Sequence, residues 1–62
     1  KEKLILFLER LSDTDRNLFI DAVIRGYRHK ELAEKYHLSG TNISVKIFRL
    51  RDRFRKILER ED

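Results

Sequence analysis

No cysteine occurs in the chain, which excludes disulfides and thiolate metal sites and leaves the redox compartment open. Proline is missing as well, both glycines sit at element boundaries, and apolar residues nowhere alternate over a sustained stretch, so nothing points to a β-strand or hairpin. There is no apolar run of about 18 residues and no signal-like segment, which argues for a soluble, cytoplasmic chain without a membrane span. Methionine is absent even from the first position, where Lys1 stands, so the 62 residues are expected to be a segment of a longer protein. A chain of this length forms at most one small domain, spanning residues 1–62, and buries only about 60% of its unfolded surface. That leaves no room for an enclosed active site.

Charge, by contrast, is abundant: 42% of residues are charged and the formal net charge is +4. Its distribution is uneven, with four basic and five acidic groups in residues 1–24 against eleven basic and six acidic in residues 25–62. Such asymmetry suggests a partner with an anionic surface, nucleic acid first. A membrane surface fits less well, because the most basic stretch has no broad apolar face beyond the one needed for folding.

Four helical segments can be read from the apolar spacing. Residues 3–11 put Leu4, Phe7, Leu8 and Leu11 on one helical face and leave Ile5 and Leu6 as surplus, for the core or for a partner. Ser12 followed by Asp15 is a helix start signal, with Asp13 and Asp15 favourable to the N-terminal dipole. In the helix that follows, Leu18, Phe19, Ile20, Ala22, Val23 and Ile24 cover about two-thirds of the circumference. Asn17, Asp21 and Arg25 are left as a polar strip, and Ile20 and Ile24 join Ile5 and Leu6 as candidate partner-binding residues. Gly26 suits the end of that helix, where a positive φ costs it nothing. A third helix over His29–Tyr36 turns Leu32, Ala33 and Tyr36 inward, with Glu31 and Lys35 as an i, i+4 pair outside. His37, Leu38 and Ser39 make a tight turn, Leu38 tucked under and Ser39 the preferred cap of a last, long helix. The expected fold class is all-α, a small four-helix domain.

The last helix, from Ser39 to Arg60, organises the rest. Ile43, Ile47, Leu50, Phe54 and either Ile57 or Leu58 gather in one arc, the stripe of a helix docking on a core. On the other side stand Thr41, Ser44, Val45, Phe48, Arg49, Asp52 and Lys56, mixing charge with two apolar side chains that the stripe does not need. Apolar groups between Lys46 and Arg49 suit a surface that meets both phosphates and base edges, since a thymine methyl accepts apolar contact. Amides at the helix start, Ser39–Asn42, can hold a phosphate. Lys46 and Arg53 can add phosphate charge, and Arg49 is the candidate for bidentate contact to guanine.

Short helix, tight turn and long basic helix is the helix-turn-helix order, in which the second helix is offered to the major groove of DNA. The run LSDTDRNLF…IRGYRHKELAEKYHLSGTNISVKIFRLRDRFRKIL resembles region 4 of bacterial RNA polymerase sigma factors, especially the small extracytoplasmic-function type. Leu11, Arg16, Gly26, Glu31, Leu32, Ala33, Leu38, Ser39, Ile43, Lys46, Arg49 and Arg51 fall on that family's pattern, over about residues 8–58. The resemblance implies a recognition helix for the minus-35 promoter element, docking on the flap of the polymerase β subunit, and often an anti-sigma partner. It also places DNA-facing positions at Asn42, Ser44, Val45, Lys46, Phe48 and Arg49, with phosphate contacts near Arg28 and His29. Four departures mark a divergent member. His37 stands where glycine is usual, Arg28 where Ser or Thr caps, Asn42 where threonine is usual, and no proline follows Leu11.

Two other readings stay open: a LuxR-type or other helix-turn-helix regulator, and a protein-interaction module in which the basic face only solubilises. The unbroken apolar spacing from Ile43 to Leu58 opposes the first, because that family breaks after its recognition helix. An enzyme is not expected, since His29 and His37 stand without a cysteine, an acidic cluster or a Ser-His-Asp set. No cofactor, metal or small-molecule substrate is expected either.

Overall fold

The computed structural model describes residues 1–60; residues 61–62, the end of the expected domain, lie outside the described residues. The chain folds as α1 (Glu2–Glu9), α2 (Asp13–Phe19) continued by a π-helical turn (Ile20–Ile24), α3 (His29–Tyr36) and α4 (Gly40–Glu59). Among the described residues there is no strand, and the expected all-α, four-helix domain is what forms. No helix among them is long and apolar enough to cross a membrane.

At 20 residues, α4 is about 30 Å long and sets the long axis of a body measuring 39 × 19 × 17 Å. The other three helices lie against it. Ile43, Ile47 and Leu50 are buried along its inner face, and Phe54 and Ile57 extend the stripe half-buried. Ile57 rather than Leu58 completes it; Leu58 is exposed. Phe7 from α1 and Leu18 and Phe19 from α2 close over this stripe, and Leu32 from α3 reaches the same core. Phe7, Phe19 and Phe54 form an aromatic triad with centroids 5.2, 5.1 and 5.9 Å apart, a geometry that adds to simple burial.

The caps follow local chemistry. Ser12 Oγ accepts from the Asp15 N–H at 3.2 Å and Ser39 Oγ from the Asn42 N–H at 3.1 Å, as Ser at N-cap does. Arg16 bridges α1 and α2: its guanidinium donates to the Leu8 and Leu11 carbonyls and pairs with Asp13. Arg28 has no side-chain acceptor to offer α3, yet that helix start is not bare. Glu31 Oε1 accepts the Arg28 N–H at 2.9 Å, the returning half of a capping box. The turns that follow the π-helical segment and α3 are left-handed, Gly26 with φ 74° and His37 with φ 57°. The Leu38 N–H bonds to Ala33 O, the six-to-one bond of a Schellman turn, whereas the Tyr27 N–H reaches back six residues to Asp21 O, one residue wider because it closes the π-helical turn.

Three expectations are corrected in this part of the chain. The second helix does not stay α-helical: the Arg25 N–H bonds to Ile20 O, five residues back, so its last turn widens. Asp21 does not lie in a solvated strip. It is 3% exposed, and its carboxylate receives Lys35 Nζ and the Tyr36 hydroxyl, each at 2.7 Å, with Arg25 at 3.6 Å. Lys35 therefore does not pair with Glu31; it turns to the buried carboxylate, while Glu31 caps α3. A buried charge is tolerable only when paired and hydrogen-bonded, and here it is both. The hydrogen bond from Lys35 leads in holding the Asp21 carboxyl below its ordinary range. Burial, then the bond to Asp21, pushes the Tyr36 hydroxyl from 10.0 up to about 12.

Two outcomes follow for stability. Asp21 has a lowered carboxyl pKa in the fold, so its contribution is present above the unfolded value of about 3.9 and lost as pH falls below it. Tyr36 has a raised pKa, so its contribution is intact below pH 10.0 and lost as pH rises toward about 12. Urea unfolding across pH should show both limbs, with Asp21→Asn shrinking the acid one and Tyr36→Phe the alkaline one. At neutral pH Asp21→Asn should cost about 1.5–3 kcal/mol. Separately, His37→Gly should relieve the left-handed strain and stabilise by about 1 kcal/mol, raising the melting temperature by about 4–8 °C; a lower melting temperature would contradict this account.

Candidate nucleic-acid interface

The side of α4 turned away from the core is open along its length, because three short helices can cover only one face of it. Val45 is 40% exposed and Phe48 71%, and neither contributes to the core. Thr41, Asn42, Ser44, Lys46 and Arg49 are exposed around them. The predicted reading residues on α4 are thus all accessible, spread over both flanks of its outer side. An exposed phenylalanine in the middle of a well-formed helix has no explanation in packing.

Charge along α4 divides into two regions. In its second half Asp52 pairs with Arg55 and with Lys56, the latter at 3.2 Å, and Glu59 receives Arg55 at 2.9 Å. The Arg55 bond leads in holding the Asp52 carboxyl below its usual range. Asp52 and Lys56, expected on the reading face, instead satisfy each other. Lys46, Arg49 and Arg51 have no ion pair among the described residues. Uncompensated positive charge therefore lies alongside Val45 and Phe48. Lys46, Arg49 and Arg53 line one groove together with Asp15 and Leu50, and Arg53 also lies over the Phe7 ring, 5.9 Å from its centroid. Asp15 is an acidic neighbour that the spacing within α4 cannot reveal.

On the other flank, α3 and α4 enclose a shallow concavity lined by His29, Lys30, Ala33, Thr41, Ser44 and Val45. His29 Nδ1 and Ser44 Oγ are 3.0 Å apart across it. Arg28, His29 and Lys30 are exposed at the start of α3, so the basic run faces the same side as the start of α4. Lys30 was missed by the sequence reading, although its place beside Arg28 and His29 is a signal in itself. Gly40 lies within the helix start expected to hold a phosphate, and a side chain there would meet nothing within 4 Å, so the backbone at the first turn of α4 is open. The Asn42 amide is already taken by the Ser39 hydroxyl and the Ser39 carbonyl by the Ile43 amide, so of the expected helix-start amides Asn42 is occupied within the helix.

The partner-binding candidates divide. Ile5, Leu6 and Ile24 are exposed. Ile20 is corrected: it is half-buried, beside Asp21, Lys35 and Tyr36, because the widened turn folds it toward α3. Val23 stands exposed next to Ile24 in its place. Among the described residues no group of three or more His, Cys, Asp or Glu side chains could hold a metal ion.

Ala33 lies half-buried where α3 passes α4, in the floor of the concavity. A leucine there should force the two helices apart at a cost of about 1–3 kcal/mol. Ala33→Leu is expected to lose DNA binding in a mobility-shift titration while its far-ultraviolet circular dichroism stays helical. Normal binding by that variant would contradict the assigned docking of α3 on α4.

Comparison with protein-family models gives no match, and comparisons with curated proteins and with solved structures give none either.

Proposed function

We propose that this chain is a sequence-specific DNA-binding domain of the helix-turn-helix kind, with α3 as the positioning helix and the first half of α4 laid in the major groove. The carrying observation is the joint exposure of Val45 and Phe48 beside Lys46 and Arg49, which make no ion pair among the described residues although Asp15 lines their groove. Phosphates are met by cations and helix-start amides, which position the domain; base edges and thymine methyls are met by the outward side chains, which specify it. Arg28, His29, Ser39, Lys46 and Arg53 take the first role. Thr41, Asn42, Ser44, Val45, Phe48 and Arg49 take the second.

Within that class, the residue pattern favours region 4 of a sigma factor. Such a cytoplasmic domain would read the minus-35 element of promoter DNA and direct RNA polymerase to it, docking on the β flap and in some cases held by an anti-sigma factor. The exposed Ile5, Leu6 and Ile24 support a protein partner as a second contact, compatible with DNA binding.

Salt and substitution test the reading together. Binding to duplex DNA should weaken steeply with salt, with a logarithmic slope of about −0.9 per phosphate neutralised. Lys46→Ala should weaken all sequences alike and lower that slope by about 1. Arg49→Ala should cost about 1–3 kcal/mol on the preferred site and relax preference at one base pair. Equal effects from both would refute the separate roles, and no binding at low salt would favour the interaction module instead.

A further inference from the structure

We infer that His29 determines which bases Ser44 can read, by fixing the direction of the Ser44 hydroxyl. The inference rests on the DNA-reading function proposed above and assigns a specificity-determining pair within it. His29 Nδ1 to Ser44 Oγ, at 3.0 Å, is the one side-chain hydrogen bond joining α3 to α4 among the described residues. A serine inside a helix can turn its hydroxyl back to a carbonyl of its own helix. Here it reaches across to the neighbouring helix. Both side chains are exposed, at the concavity that Lys30, Thr41 and Val45 share, so a ligand laid on α4 meets the hydroxyl and the ring together.

The position of the hydrogen follows from the surroundings of the ring. A neutral imidazole has one donor nitrogen and one acceptor nitrogen. His29 Nε2 has no protein partner among the described residues, and the ring stands between Arg28 and Lys30 in the first turn of α3. Two cations and the positive end of a helix gather phosphate at such a place. A phosphate oxygen accepts only, so of the two neutral tautomers it selects the one with the hydrogen on Nε2, whose Nδ1 is the acceptor; the doubly protonated ring, whose Nδ1 would donate to Ser44, gives the opposite, guanine or thymine, preference. Beside the neutral ring Ser44 donates to Nδ1 and presents only lone pairs to the groove. A free serine hydroxyl pairs with donor and acceptor edges alike. A committed one selects an amino group, cytosine N4 or adenine N6, over the guanine or thymine edge. His29 is thus a positioning residue and Ser44 the contact.

Selection from a randomised duplex library, run on the unsubstituted chain and on His29→Ala, Ser44→Ala and the double variant, tests this directly. The base position contacted is the one whose preference Ser44→Ala removes. The unsubstituted chain should favour adenine or cytosine there by about threefold to tenfold, the discrimination one net hydrogen bond supplies. His29→Ala should erase that preference and leave the other positions of the motif unchanged, and the double variant should match Ser44→Ala. His29 is exposed and outside the core, so its removal leaves the apolar core intact, and an unchanged melting temperature of His29→Ala checks that α3 stays docked. A uniform loss of affinity with the preference at the Ser44 position retained would make His29 only a phosphate contact and overturn the inference. So would an unchanged preference, or a guanine or thymine preference at the Ser44 position. Failure to select any motif with the unsubstituted chain would overturn the DNA-reading function itself, whereas a clear motif indifferent to His29 would overturn the pair alone.

Discussion

One apolar stripe carries the fold. Ile43, Ile47, Leu50 and Phe54 run along a single face of α4, and every other helix is held by docking against it. With eight, seven and eight residues, α1, α2 and α3 are each too short to persist alone, since isolated helices below about 12–15 residues are marginal in water. They gain stability from burial instead. The same dependence leaves the opposite face of α4 bare, because three short helices cannot encircle a helix of 20 residues. The core requirement and the open outer face of α4 are therefore two consequences of one arrangement.

The orientation of α3 on that stripe rests on polar contacts as much as on burial. Only Leu32 of α3 is fully buried, a small anchor for an element that must set the angle of approach. At its start His29 meets Ser44 of α4; at its end Lys35 and Tyr36 meet the Asp21 carboxylate beyond the widened turn. The Lys35 ammonium also lies 5.6 Å from the centroids of the Tyr27 and Tyr36 rings, which draws Tyr27 into the same cluster. A satisfied network around the buried Asp21 carboxylate rigidifies what apolar contact alone would leave loosely specified.

Much of the fold was legible in the sequence because the determining interactions are local. The bounds of α3, the caps at Ser12 and Ser39, the left-handed turn at Gly26, and the inward stripe of α4 all depend on residues within a few positions of one another. The exposed surplus at Ile5 and Leu6 was legible for the same reason. Of the interface, the outward face of α4 could be read from periodicity, Val45 and Phe48 included. Its charge could not: Asp52, Arg55, Lys56 and Glu59 neutralise one another in the second half, and Asp15 enters the groove from another helix.

The sequence by itself thus determined an all-α domain, its four helices, and a last helix with one face for the core and one for solvent, since helical period and capping chemistry act over a turn or two. Only the tertiary structure decided that Asp21 is buried rather than solvated, that the helix around it widens by a residue, and that Ile57 rather than Leu58 packs. The same holds for His29 facing Ser44, fifteen positions apart in the chain. Each of these depends on which side chain a distant element brings near, and a polar residue in a helical pattern reads alike whether water or a buried cation awaits it.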